Sequence, residues 1–166
     1  MTKSVAALLA ALTLTLGCAT LEPLTDPEVT LIDLKFTQVT LLETSAVATL
    51  RIANANPVPL CLAGGVYRLW LNGAELGKGM TGNPLEIPRL ASATQDVPIH
   101  VSNLALLLRG LDIVKTNEVH YRIGSTLHLA PTHGSRRLKL TSEGTFRLAP
   151  EQAQKLQTFA PSVRME

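Results

Sequence analysis

From residue 28 onward, apolar and polar residues alternate along most of the chain, and a two-residue period marks strands with one buried face. Ile32, Leu34 and Phe36 form one apolar row, with Asp33, Lys35 and Thr37 between them. The parity then passes to Val39 and Leu41. One extra residue exchanges the two faces of a strand, so a bulge is expected near Thr37-Gln38. Ala46, Ala48, Leu50 and Ile52 make the next row, and Tyr67, Leu69 and Leu71 another. Asn72-Gly73 is the strongest local signal, because both central residues of a type I′ turn need positive φ. It predicts a hairpin joining residues 66–71 to 74–80. Val97, Ile99 and Val101 follow, with Pro98 among them. Proline donates no ladder hydrogen bond, which predicts an edge or a bulge there.

Leu104 to Leu111 breaks the alternation and reads as one or two helical turns, with Ser102 or Asn103 as N-cap. Two long rows follow, Val119, Tyr121, Ile123, Leu127 and Leu129, then Leu138, Leu140, Phe146 and Leu148, joined by a turn from Pro131 to Ser135. A short helix is expected over 151–159, with a loose tail beyond Pro161. About seven strands with regular turn signals and one short helix predict an all-β protein, an antiparallel β-sandwich.

Ahead of this domain the pattern changes. Lys3 precedes an apolar run from Val5 to Leu16, and Gly17-Cys18 ends it. The run is shorter than the ~20 residues that a membrane-spanning helix needs, but it has the length of a signal-peptide h-region. It resembles a bacterial lipoprotein signal with its lipobox, which implies cleavage before Cys18 and a diacylglycerol on its thiol. The usual leucine three residues before the cysteine is Thr15 here, flanked by Leu14 and Leu16. A secretory signal with an incidental cysteine is the alternative. The expected organisation is therefore a signal peptide (1–17), a lipidated N-terminus and tether (18–27), a β-sandwich (28–149) and a C-terminal tail (150–166). The nine residues 19–27 reach at most ~30 Å, which keeps the domain near the membrane surface.

Composition narrows the chemistry. The chain has 166 residues, is 46% hydrophobic and carries a net charge of +2, so one ordinary core is expected. The densest basic cluster, Arg136-Arg137 with Lys139, is too sparse for nucleic acid and reads as a solvated face. Cys61 lies among leucines and prolines and is expected to be a buried, inert thiol. No Gly-x-Ser-x-Gly elbow is present. Gly73 to Gly79 has the wrong glycine spacing for a phosphate loop and lacks its Ser or Thr. His120 and His128 share a strand face but stand ~26 Å apart, which leaves only a cross-strand metal site with His100 to consider, and no acid or cysteine is arranged to complete one. No catalytic residue, metal or cofactor is expected.

A family resemblance rests on Arg51 to Leu60 (RIANANPVPL), Tyr67 to Gly73 (YRLWLNG), Leu76 to Gly79, Ile87-Pro88 and Val97-Pro98-Ile99. In order and spacing these are similar to the water-stress and hypersensitive-response domain of the late-embryogenesis-abundant type 2 family, and the likeness covers most of 28–149. The family turn is often Asn-Pro-Asn, whereas this chain reads Asn54-Ala55-Asn56-Pro57. Asn56 is expected to hold the turn and Pro57 to end the strand, so Asn54, Asn56, Pro57, Asn72 and Gly73 are structural turn residues.

The resemblance implies an immunoglobulin- or fibronectin III-like sandwich without enzymatic activity, associated with tolerance of desiccation. It implies protection of stressed client proteins or membranes through weak contacts. With the lipid on Cys18, the expected place is the cell envelope. Ala19 in place of an aspartate favours the periplasmic face of the outer membrane if the organism is Gram-negative. The rival reading is a binding or scaffold module that holds an envelope partner or a lipid-like ligand.

Overall fold

The structure, a computed structural model, describes residues 24–39, 44–101, 119–131, 136–147, 149–152 and 154. Eight strands occur in chain order: β1 (Glu28–Val39), β2 (Thr44–Ala53), β3 (Leu60–Leu71), β4 (Ala74–Thr81), β5 (Leu85–Ile87), β6 (Ser92–Val101), β7 (Val119–Leu129) and β8 (Arg137–Phe146). All pairings are antiparallel. The helix expected at 104–111 lies outside the described residues. At the C-terminus, 150–152 and 154 are helical.

The alternating rows form the core. Ala46, Ala48, Leu50 and Ile52 are buried, as are Tyr67, Leu69, Leu71, Val97, Ile99, Val119, Ile123, Leu127 and Leu138. β1 corrects the expected pattern. Val29 and Leu31 point inward, Ile32 is 47% exposed, and Leu34 and Phe36 are again buried. The register slips between Leu31 and Asp33 and again between Phe36 and Gln38. Thus a bulge at Ile32, absent from the expected pattern, accompanies the one at Thr37.

The architecture is a single sheet rather than two separate ones. Its order is β1-β2-β6-β4-β3-β7-β8, with β5 against β3. The junction is narrow: β4 pairs with β3 along its length but with β6 only at Gly77–Gly79. Here the glycines have a packing reason, because a Cβ on Gly79 would stand 2.5 Å from the Pro98 carbonyl oxygen and one on Gly77 would strike that of His100. Pro98 sits where this second ladder stops, so its missing N–H falls at the strand position with β2 as sole neighbour.

The sheet curls until its two edges meet. The Leu31 N–H on the outer edge of β1 donates to the Tyr121 hydroxyl at 3.4 Å, and the Phe36 N–H donates to Gln152 Oε1 at 2.8 Å. Side chains thereby satisfy edge groups that would otherwise be open to pairing. Tyr121 also packs against Phe146, ring centroids 6.1 Å apart. The result is an all-β half-barrel filled by the inward rows. No helix among the described residues is long and apolar enough to cross a membrane.

Candidate functional site

The chain enters the sheet at one end, which we call proximal. The loops 54–59 and 88–91 gather there, while the Asn72-Gly73 hairpin turn lies at the other, distal end. Two buried asparagines organise the proximal end. Asn54 is 2% exposed and Asn56 4%. The Asn54 amide donates to the carbonyls of Val58 (2.9 Å), Ile87 (3.3 Å) and Pro88 (3.2 Å). Its Oδ1 accepts from the backbone N–H and side-chain amide of Asn56, at 3.0 and 2.9 Å. The bond to the backbone two residues on is an Asx turn.

Asn56 reaches further. It accepts from the Thr25 N–H at 2.7 Å and donates to the Thr25 carbonyl at 2.8 Å, two bonds that fasten the incoming chain like a strand partner. Asp26 adds a weak ion pair with Arg136 at 3.9 Å, worth under about 1 kcal/mol where both ends are exposed. The Asn56 carbonyl accepts from the Leu90 N–H at 3.0 Å, and the Ala91 carbonyl accepts from Asn54 at 2.8 Å. Pro57 is exposed in the bend that follows.

A second network lies further along the sheet. Tyr67, 1% exposed, donates to Gln95 Oε1 at 3.2 Å, and Gln95 donates to the Asn83 carbonyl at 3.2 Å. Burial pushes the Tyr67 pKa from 10.0 up to about 12, because an ionised phenol would be poorly solvated there.

At the distal end, Asn72 (φ 47°) and Gly73 (φ 83°) form the tight turn between β3 and β4. Asn72 Oδ1 accepts from the His120 N–H at 3.0 Å, tying the turn to β7.

Two open grooves flank these elements. The proximal one, about 510 Å³, is lined by residues that include Asp26, Glu28, Arg51, Leu90 and Ser92. The distal one, about 330 Å³, is lined by residues that include Trp70, His120, Arg122 and Glu143. Trp70, Arg122 and Glu143 are successive cross-strand neighbours on β3, β7 and β8, and the Arg122 guanidinium lies 4.8 Å from the Trp70 ring centre.

Among the described residues, no three His, Cys, Asp or Glu side chains gather as a metal site. His100 on β6 and His120 on β7 are separated by β4 and β3, roughly 14 Å across the sheet, so the cross-strand pair fails for that reason. Cys61 is a free thiol and half-buried rather than fully buried as expected, because it stands opposite Glu86 on the β3–β5 ladder. Cys18 and His133 lie outside the described residues. The side-chain clamp was not foreseen at Asn54, whose partners are up to 34 residues away.

No curated protein matches the sequence. A protein of Arabidopsis thaliana, AT1g01470, has a solution structure similar to this fold at a TM-score of 0.57 and 20% identity, covering 78% of this chain and 87% of that one. A solved late embryogenesis abundant protein, At2g46140.1, is 18% identical with a TM-score of 0.46, covering 88% and 86%. A protein from Archaeoglobus fulgidus is 16% identical with a TM-score of 0.42, covering 76% and 98%. The model of the family described as "Late embryogenesis abundant protein" (LEA_2) matches residues 49–144, more than half of the chain and all of the sheet from the middle of β2 into β8. By that match the chain belongs to the late embryogenesis abundant type 2 family.

Proposed function

We propose that this is a non-enzymatic, lipid-anchored protein of the cell envelope whose folded domain protects proteins or membranes during drying and related stress. Family membership suggests the stress-related role. The observation that carries the anchor is the apolar run Val5 to Leu16, ended by Gly17-Cys18 ahead of that domain. A core built from eight strands sets this chain apart from coil-like protectants, so protection acts through a folded surface. The outer membrane's periplasmic face is the favoured place in a Gram-negative organism, because Ala19 follows the acylated cysteine.

Two tests separate the parts of this reading. Cys18→Ala releases the protein into the soluble fraction or leaves it unprocessed, and unchanged processing and attachment would sink the anchor. Purified residues 19–166, dried with a labile enzyme, raise its recovered activity above that with an equal mass of inert protein. Recovery equal to the control would favour the rival binding module. For that rival the proximal groove of about 510 Å³, with Asp26, Glu28 and Arg51 beside Leu90, is the place to seek a partner by crosslinking.

A further inference from the structure

Leu90 is the anomaly of the proximal end. It is 70% exposed and adopts φ of 52°, a left-handed conformation that glycine or asparagine takes readily and leucine does not. Its N–H is fixed by the Asn56 carbonyl at 3.0 Å. The clamp that fastens the incoming chain therefore also holds an apolar side chain out in solvent at the apex of a turn. Neither core packing nor solubility accounts for a leucine there, and strained backbone held by its surroundings is a feature of functional sites.

Leu90 has company. Val58 and Leu24, each 42% exposed, belong to the same end. Pro57 and Pro88 are exposed beside them, with Arg89 next to Leu90. An apolar tip with a flanking arginine suits a lipid interface, where aliphatic groups enter the acyl boundary and cations stay with the headgroups. The chain's course supplies the occupant. Thr25 is bound at this end through Asn56, and the seven steps from Cys18 to Thr25 span at most ~25 Å. A lipid on Cys18 thus tethers the molecule by the end that carries Leu90.

We propose that the proximal end, with Leu90 at its apex and Val58 and Leu24 beside it, is a membrane-contact surface that seats the domain on the bilayer holding its own anchor. This rests on the lipid-anchor reading above. Seating would stand the strands on the bilayer and turn the distal end, with its Trp70–Arg122 groove, away from the lipid.

The test uses mature protein purified from membranes and reconstituted in phosphatidylethanolamine–phosphatidylglycerol vesicles. Single environment-sensitive probes are placed by Leu90→Cys, Val58→Cys or Thr145→Cys in a Cys61→Ser background. Thr145 is exposed on β8 near the distal end, opposite His120. Lipid-borne quenchers are expected to reduce the signal at 90 and 58 at least twofold more than at 145. Flotation with the vesicles but equal quenching at all three positions overturns the seating and leaves the anchor standing. Failure of the protein to float overturns the anchor and the seating together. Agreement between positions 58 and 90 guards against a local effect of altering the strained turn.

Discussion

The two ends of the sheet solve the same problem, reversing the chain, by opposite means. The distal turn is local: Asn72 and Gly73 take positive φ themselves, with no more than one side-chain bond to β7. The proximal end is non-local. Asn54 and Asn56 hold Thr25, Val58, Ile87 and Pro88, and the Asn56 carbonyl holds Leu90. A local turn sets a conformation, whereas a buried polar clamp sets which distant segments lie together. The clamp carries the larger penalty when broken, because several buried or half-buried bonds are lost together.

The largest expected effect follows directly. Asn54→Ala removes the amide that the Val58, Ile87 and Pro88 carbonyls share, and with it the acceptor for Asn56. A loss of about 3 kcal/mol is expected, measured as a fall in the denaturation midpoint at unchanged m-value. A loss below that of Gly73→Ala in the distal turn would break the comparison.

Tyr67 gives the next effect, visible in alkali. Its folded pKa, about 12, stands above the ordinary 10.0, so the folded state keeps a proton that the unfolded chain releases. Stability is intact below pH 10 and falls as pH rises toward 12, by about 2 kcal/mol at that point. Tyr67→Phe should be less stable at neutral pH but show a shallower alkaline decline. Equal slopes in the two proteins would mean that the phenol is solvated in the fold.

Asn56→Ala is smaller, about 1–2 kcal/mol, and its signature is spatial. Hydrogen exchange at Thr25 should quicken while β3, β7 and Leu90 stay protected, since only the entry segment loses a side-chain fastening and the Leu90 N–H keeps the backbone carbonyl of residue 56.

The same contrast explains how much was legible in the sequence. Asn72-Gly73 announces its turn because the constraint lies within the two residues. Asn54 and Asn56 were readable as turn formers, but not as a clamp, since Thr25 and Pro88 are about thirty residues away in either direction. Periodicity reveals which face a residue takes and is silent about which strand lies beside it. A sandwich was therefore expected where a three-pair junction joins β4 to β6, and the spaced glycines Gly77 and Gly79 are its only trace. The bulge at Ile32 was hidden because Leu31 and Ile32 are both apolar, so either parity looks satisfied. Three-residue β5 is too short to show a period. The proximal tip left no signal at all, because nothing about a leucine in a loop foretells a left-handed backbone.

The smallest effect tests whether the distal turn is purely local. Gly73 has φ of 83° and open space around it, so Gly73→Ala meets no neighbour and bears only the conformational cost of a left-handed alanine, about 1 kcal/mol. Because the turn shares no partner with the clamp, its effect should add to that of Asn56→Ala within about 0.5 kcal/mol in the double variant. A larger coupling would show that the two ends are mechanically linked through β3, the strand that runs between them, and that the local and non-local solutions are not independent.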